Sequence, residues 1–234
     1  MNYKNDCLVC GKELIYLENN ENVECYVCNE VGSANARCAE GHYVCDNCHS
    51  LGANDLIEKI CMRSSSQDPL ELAVNLMKMA QIKMHGPEHH FLVPAVILTA
   101  YCNTIRTSDE AKGAYLKKAR DRAGKVPGGF CGFYGDCGAA VGTGIMVSVL
   151  TGSTPLSKKE WRLSNLMTAK SLFTIANHGG PRCCKRNSFL AINEAVEFLK
   201  ENLGTALSIN KDLVCEFSAL NKECLARECL FHDS

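Results

Sequence analysis

No apolar run in this 234-residue chain approaches the ~20 residues that a membrane-spanning helix needs, so a membrane protein is not expected. Aromatic residues make up only 7% of the chain, with a single Trp, and there are six prolines. Charge of one sign is missing as well: 25 basic and 26 acidic side chains leave a formal net charge of −1. That balance offers no electrostatic footprint for nucleic acid or a lipid surface, which argues against both as partners. The opening residues Met1-Asn2-Tyr3-Lys4-Asn5-Asp6 carry no apolar signal core, so export is not expected. Alternating strand patterns are scarce after residue 50, and neither an internal repeat nor a low-complexity segment is present.

Cysteine is what the chain has in excess, at 16 residues. In a small exported protein this would indicate a disulfide framework. Without an export signal the expected setting is a reducing cytoplasm, where paired cysteines bind metals or do redox chemistry.

The cysteines fall into two sets. Residues 1–52 hold Cys7-x-x-Cys10, Cys25-x-x-Cys28, Cys38-x3-His42 and Cys45-x-x-Cys48. A CxxC turn aims two thiolates at one ion, and tetrahedral zinc needs two such pairs, so eight ligands make two closed sites. So small a segment has little core, and metal binding would supply much of its folding energy. Sequential pairing would join Cys7 and Cys10 to Cys25 and Cys28, whereas cross-braced pairing would join them to Cys38 and His42. The stretch Cys38-Ala-Glu-Gly-His42-Tyr-Val-Cys45-Asp-Asn-Cys48 resembles the second half of a RING-type finger, which favours the cross-brace. His49, just after the last ligand, reads as a spare surface histidine. Filled sites of this kind are structural, because a catalytic zinc keeps one position open.

Residues 53–234 read as an all-α domain behind this two-zinc finger-like module. Ser64 to Gln67 has the composition of a linker. Asp68 is expected to cap a helix with Pro69 in its first position and Glu71 as the capping-box partner, and Leu72, Ala73, Leu76, Met77, Ala80 and Met84 continue at helical spacing. His85-Gly86-Pro87 separates this from a helix over Glu88 to about Thr104, apolar almost all round and so expected at the centre. Thr107 with Glu110 opens a further helix that ends near Gly124. Ser157 with Glu160 opens another, with Trp161, Leu166, Ala169, Leu172, Phe173 and Ala176 on one face. Ser188 to Leu203 completes the series, stopped by Gly204.

The second cysteine set lies in this domain. Gly128-Gly129-Phe130-Cys131-Gly132-Phe133-Tyr134-Gly135-Asp136-Cys137-Gly138 puts two thiols in a glycine-rich loop ahead of a helix of small residues. A thiol at a helix N-terminus has its thiolate favoured by the dipole and by free N–H groups, which marks Cys137 as a reactive thiolate or cluster ligand. Tight helix packing through Gly138, Gly142 and Gly144 is the plainer alternative. Pro181-Arg182-Cys183-Cys184-Lys185-Arg186 carries vicinal thiols between flanking cations, which lower thiol pKa. Cys215, Cys224 and Cys229 form a tail set that either completes a cluster or lies along a helix from Ser218 to Leu230. His85, His89 and His90 with Glu88 supply metal ligands or acid–base groups within six residues.

The runs HGPEHHFLVPAVILTAYC, GFCGFYGDCGAAVGTGI and GGPRCCKRNSFLAINEAVEFL resemble an uncharacterised cysteine-rich prokaryotic domain family, found mainly in anaerobes. The resemblance covers roughly residues 60–230 and implies no defined activity. Cys137-Gly138-Ala139-Ala140-Val141-Gly142 is also similar to the CGA-x-x-G stretch of the C-GCAxxG-C-C redox-active cysteine proteins, whose earlier GCAxxG element is absent here. That likeness implies a redox role for Cys137.

Three functions fit. In the first, Cys131, Cys137, Cys183 and Cys184, with Cys102, hold an iron–sulfur cluster or carry out thiol redox or sulfur-transfer chemistry on a small molecule or protein, with His85, His89, His90 and Glu88 lining the same pocket. In the second, the chain is a non-catalytic zinc-binding adaptor or regulator that contacts a protein or nucleic acid, the latter through the run Lys117, Lys118, Arg120, Arg122 and Lys125. In the third, the second set binds further structural zinc.

Overall fold

The structure is a computed structural model that describes residues 7, 9–45, 48 and 52–233. His49 and the 49–51 segment beside the expected boundary lie outside the described residues.

The N-terminal region is an antiparallel hairpin of β1 (Leu14–Glu24) and β2 (Val31–Cys38). Its register runs from Leu14 opposite Cys38 to Glu24 opposite Val31, with an irregularity between Tyr16 and Glu21. The cysteine pattern hid these strands in the sequence, since the segment holds few aliphatic residues.

Eight α-helices follow among the described residues: α1 (Ala53–Arg63), α2 (Pro69–Met77), α3 (Glu88–Thr104), α4 (Asp109–Ala123), α5 (Phe130–Phe133), α6 (Gly138–Thr151), α7 (Lys159–Asn177) and α8 (Cys184–Leu203). The chain is therefore mainly helical, as its periodicity indicated. Helix α3 is the central element. It contacts α1, α2, α4, α6 and α8, and Phe91, Leu92, Val93, Ala95, Val96, Ile97 and Leu98 are all buried. Pro94 removes one backbone donor inside α3 and frees the carbonyl of His90, four residues back. Helix α6 approaches α3 at this point through glycine. A Cβ on Gly142 would stand 2.8 Å from Pro94 Cδ and 2.9 Å from the His90 carbonyl oxygen.

Several local expectations change. Asp68 does cap α2, its Oδ1 accepting from the N–H groups of Leu70 (2.8 Å) and Glu71 (3.1 Å). Glu71, however, accepts from Ser66 Oγ, and it is that hydroxyl which accepts from the Asp68 N–H. Helix α2 stops at Met77, short of Ala80 and Met84. The serine stretch is no free linker, because the Asn103 amide donates to the Ser64 and Ser66 carbonyls and Lys112 Nζ to that of Ser64. Ser108, one residue after Thr107, caps α4. Helix α7 has no side-chain cap, because Ser157 Oγ is bonded to Thr154. It buries Leu163, Met167, Ser171 and Ile175, so the expected face splits: Leu166 and Leu172 pack against the core, while Trp161 and Phe173 point to solvent, with Phe173 70% exposed. Beyond α8 the tail forms two 3₁₀ turns, Ser218–Leu220 and Ala226–Glu228, in place of one helix.

Arg63 of α1 ties the two regions together. Its guanidinium donates to the carbonyls of Tyr26 and Cys25 and lies 5.6 Å from the centre of the Tyr26 ring. Lys59 Nζ reaches Cys48 Sγ at 3.8 Å.

Candidate metal centres and thiol site

Three knuckles build the N-terminal ligand sets, each closed by a residue in the left-handed region. In the first, Cys7 N–H donates to the Lys12 carbonyl and Gly11 N–H to that of Cys7, with Gly11 at φ 71°. Cys25 with Glu30 and Asn29 (φ 61°), then Cys38 with His42 and Gly41 (φ 85°), repeat the scheme. Glycine and asparagine meet that backbone demand at least cost. Each knuckle also turns an N–H onto sulfur at 3.4 Å: Val9 onto Cys7 and Glu40 onto Cys38, while Cys45 serves Cys25.

The hairpin carries one ligand set at each end. Cys7, Cys10, Cys38 and His42 converge at the open end, and Cys25, Cys28, Cys45 and Cys48 at the turn. Within each set the ligand atoms lie within 4.8 Å of one another. This is the cross-braced grouping. A tetrahedral ion with bonds of about 2.3 Å to sulfur holds its sulfurs about 3.8 Å apart. The observed separations fit: 3.4 Å for Cys10–Cys38, 3.8 Å for Cys28–Cys45 and 3.9 Å from Cys7 Sγ to His42 Nδ1.

Electrostatics point the same way. Burial, then the neighbouring thiols Cys38 and Cys7, push Cys10 up to about 11, and burial with Cys45 and Cys28 pushes Cys48 up to about 12. Burial also opposes the Cys25 thiolate, but N–H groups of Cys45, Cys28 and Val27 outweigh it and bring the group to about 7. Four crowded thiols cannot all ionise alone, and a bound cation is what would allow it. The donor sets suit one tetrahedral ion each. Among the described residues no other group of three ligand atoms comes so close, so the second set builds no further single-ion centre.

In the helical body, Cys137 is the N-cap of α6 and Cys183 that of α8, leaving Cys184 as the first residue of α8. The vicinal pair therefore splits. Cys184 is grouped with Cys137, and its sulfur accepts from the Gly86 N–H. Cys137 accepts from Asn187 Nδ2 at 3.5 Å and from the N–H groups of Ala139 and Ala140, and it also feels Cys131. Cys183 turns the other way, toward the tail cysteines. The expected low thiol pKa is not met. Burial raises Cys137 and Cys183, and with the charge of Cys137 raises Cys184 to about 11, so desolvation outweighs the helix N-termini and flanking cations.

The histidines diverge rather than share one pocket. His85 Nε2 meets Asn221 Oδ1 at 3.1 Å and Glu223 at 3.4 Å, both in the tail. His89 is buried, donates from Nδ1 to the Gly86 carbonyl, and has an Nε2 without a partner among the described residues. Burial, then Lys185, His90 and His85, brings it down to about 3. His90 donates from Nδ1 to the Val126 carbonyl, and its ring lies flush against Gly138, where a Cβ would be 2.1 Å from Cδ2. Of the three, His90 is the one whose ring packs on α6, against Gly138, the residue after Cys137. Glu88 accepts from the Lys83 N–H at 2.9 Å and so fastens the turn before α3. Cys102 and Cys61 are core thiols of α3 and α1, apart from either group.

The profile of a family of unknown function (DUF5714) matches residues 57–232. The chain belongs to that family. The DUF5714 region takes in every helical element from most of α1 onward and both thiol groups of the body, and it leaves out the N-terminal ligand sets. No curated protein and no solved structure matches the chain.

Two features of this DUF5714 chain escaped sequence reading. Lys185 and Arg186, adjacent in α8, are both buried, and Asn187 donates to Cys137. The only signal for them was their place after the vicinal cysteines. Three of the five cations of the basic run are engaged within the chain: Arg120 pairs with Asp55 and Glu58 at 2.5 Å, Arg122 bonds Ser148, and Lys117 pairs with Asp121.

Proposed function

We propose that this chain is a metal-binding thiol redox protein of a reducing cytoplasm. In this reading two zinc ions fold the N-terminal region, and Cys137 with Cys184 forms the working pair of the helical body. The observation that carries it is the placement of the two thiols at the N-termini of α6 and α8, near enough for the charge of Cys137 to raise Cys184. Zinc is the ion chosen because tetrahedral sets of four thiolates, or of three thiolates and one imidazole, are its structural signature.

The pair would act as a reductant. Burial raises both thiols above their ordinary value, so at neutral pH the reduced pair is a neutral dithiol. Cys137 and Cys184 give up two protons and two electrons and form one S–S bond. The acceptor is a disulfide of a small molecule or partner protein, which becomes two thiols. The exposed side chains of Phe133 and Tyr134, between Cys131 and Cys137, offer the partner an apolar edge. An adaptor role draws less support, since most of the basic run is engaged within the chain.

The test equilibrates the protein against thiol–disulfide buffers and traps free thiols by alkylation. A Cys137–Cys184 disulfide that forms and breaks reversibly with a defined midpoint is expected. Alkylation of both residues at every poise would sink the reading.

A further inference from the structure

Cys183 and the three tail cysteines form a group of their own. Cys183, Cys215, Cys224 and Cys229 line one small enclosed cavity between the start of α8 and the tail, walled by Phe217 and Phe231. Its free volume is about 20 Å³. The thiols are set wider than those on a single ion, because no three of their sulfurs lie within 4.8 Å of one another.

The backbone is arranged for sulfur bearing charge. N–H groups of Arg186, Phe217 and Ala226 each point at a sulfur at 3.4 Å, those of Cys183, Cys215 and Cys224 respectively. Hydrogen bonds of this kind tune thiolates that ligate iron. The tail is pinned in place by the Cys215 N–H on the Phe231 carbonyl at 2.6 Å and by Phe231 edge-on to Phe189.

Two buried cations stand near the group; neither has a carboxylate within 4.0 Å among the described residues, although the buried Glu88 carboxylate acts on Lys185 from further off. Lys185 Nζ donates only to the Met77 and Ile82 carbonyls, each at 3.3 Å, and lies 5.0 Å from the centre of the Phe217 ring. Arg186 donates to the Gly179 and Pro181 carbonyls and to Asn187. Buried charge of one sign calls for the opposite sign nearby. Four thiolates around a doubly positive four-iron cluster carry a net negative charge that would answer both cations.

We propose that Cys183, Cys215, Cys224 and Cys229 ligate a [4Fe–4S] cluster. Assembly takes two ferrous ions, two ferric ions and four sulfides, which together give the doubly positive core, with the four thiols releasing their protons as they bind. The cluster would exchange one electron at a time with a low-potential donor, here represented by dithionite. This site does not depend on the Cys137–Cys184 reading.

The full chain, purified anaerobically, would be reconstituted with equal amounts of ferrous and ferric iron, and sulfide. We expect about four iron and four sulfide per chain in addition to zinc, with a broad brown absorbance that bleaches on dithionite. Cys215→Ser and Cys224→Ser should each lose most of the iron, sulfide and colour, while Cys131→Ser and Cys137→Ser retain them. Circular dichroism separates ligand loss from misfolding, and Cys224, half-exposed in a turn, is the variant least expected to disturb the fold. A colourless chain without sulfide would overturn the proposal. So would a cluster that survives in folded Cys215→Ser and Cys224→Ser, or one that disappears with Cys137→Ser instead. Failure of the Cys137–Cys184 disulfide assay would leave these metal counts unchanged.

Discussion

The two ends of the chain gather thiols in opposite ways. At the N-terminus each pair sits in a short knuckle, and one hairpin brings pairs together until ligand atoms lie within 4.8 Å. At the C-terminus Cys183 meets Cys215, Cys224 and Cys229 only because the tail folds back over α8. The first arrangement has almost no core beyond its ligands, with Val9 and Val27 filling the two leading knuckles. The second is mounted on a helical body whose apolar centre around α3 is complete without it. Metal is thus expected to make the N-terminal fold and merely to occupy the C-terminal one.

The largest effect should come from stripping the N-terminal ions. Strong chelation, or Cys25→Ser, should unfold residues 7–48 at a cost on the order of 10 kcal/mol per site. Limited proteolysis should then cut the hairpin while the helices from α2 onward stay protected. Joint melting of both regions would break the contrast.

Next in size is acid. His89 has its folded pKa, about 3, below the ordinary value near 6.5. As pH falls the unfolded chain takes up the proton first, so the stability present above about pH 6.5 is lost toward pH 3, by up to about 5 kcal/mol. Urea titrations at pH 7 and pH 4.5 should show a steeper loss for the wild type than for His89→Leu. Equal slopes would mean that His89 is not held neutral by the helical body.

A smaller effect is expected at the α3–α6 seam. Gly138→Ala would drive a methyl into the His90 ring and should cost about 1–3 kcal/mol. Thermal melting measures this, and a change in alkylation rate at Cys137 would show whether the disturbance reached it. Smallest is the tie between the regions. Arg63→Ala removes a cation–aromatic contact and two carbonyl bonds, worth about 1 kcal/mol. It should quicken hydrogen exchange around Tyr26 and leave α3 unaffected.

Much of this was legible in the sequence where the signal is local. The eight N-terminal ligands, the Asp68 cap, the α3 boundaries and the Gly204 stop all rest on a few neighbouring residues, and the structure places them as expected. The RING-like order of ligands pointed to the cross-brace for the same reason. What failed was long-range. The buried face of α7 is set by α6 and α8, and Trp161 and Phe173 gave a misleading apolar stripe. The division of Cys183 from Cys184, and the separation of His85 from His90, depend on where the tail returns and where Gly138 admits a ring. Thiol acidity depends on burial, which the flanking cations could not reveal.

Cys183 and Cys184 also set a limit on how this chain can vary. Consecutive Cα atoms are ~3.8 Å apart, so a single peptide unit forms the shared wall of two thiol groups. A one-residue insertion or deletion just ahead of α8 would move both sulfurs out of their present groups and turn Lys185 and Arg186 away from their carbonyl partners. Length changes should be tolerated in the glycine loop at Gly128, where the backbone has open space around it, and rejected between residues 182 and 186.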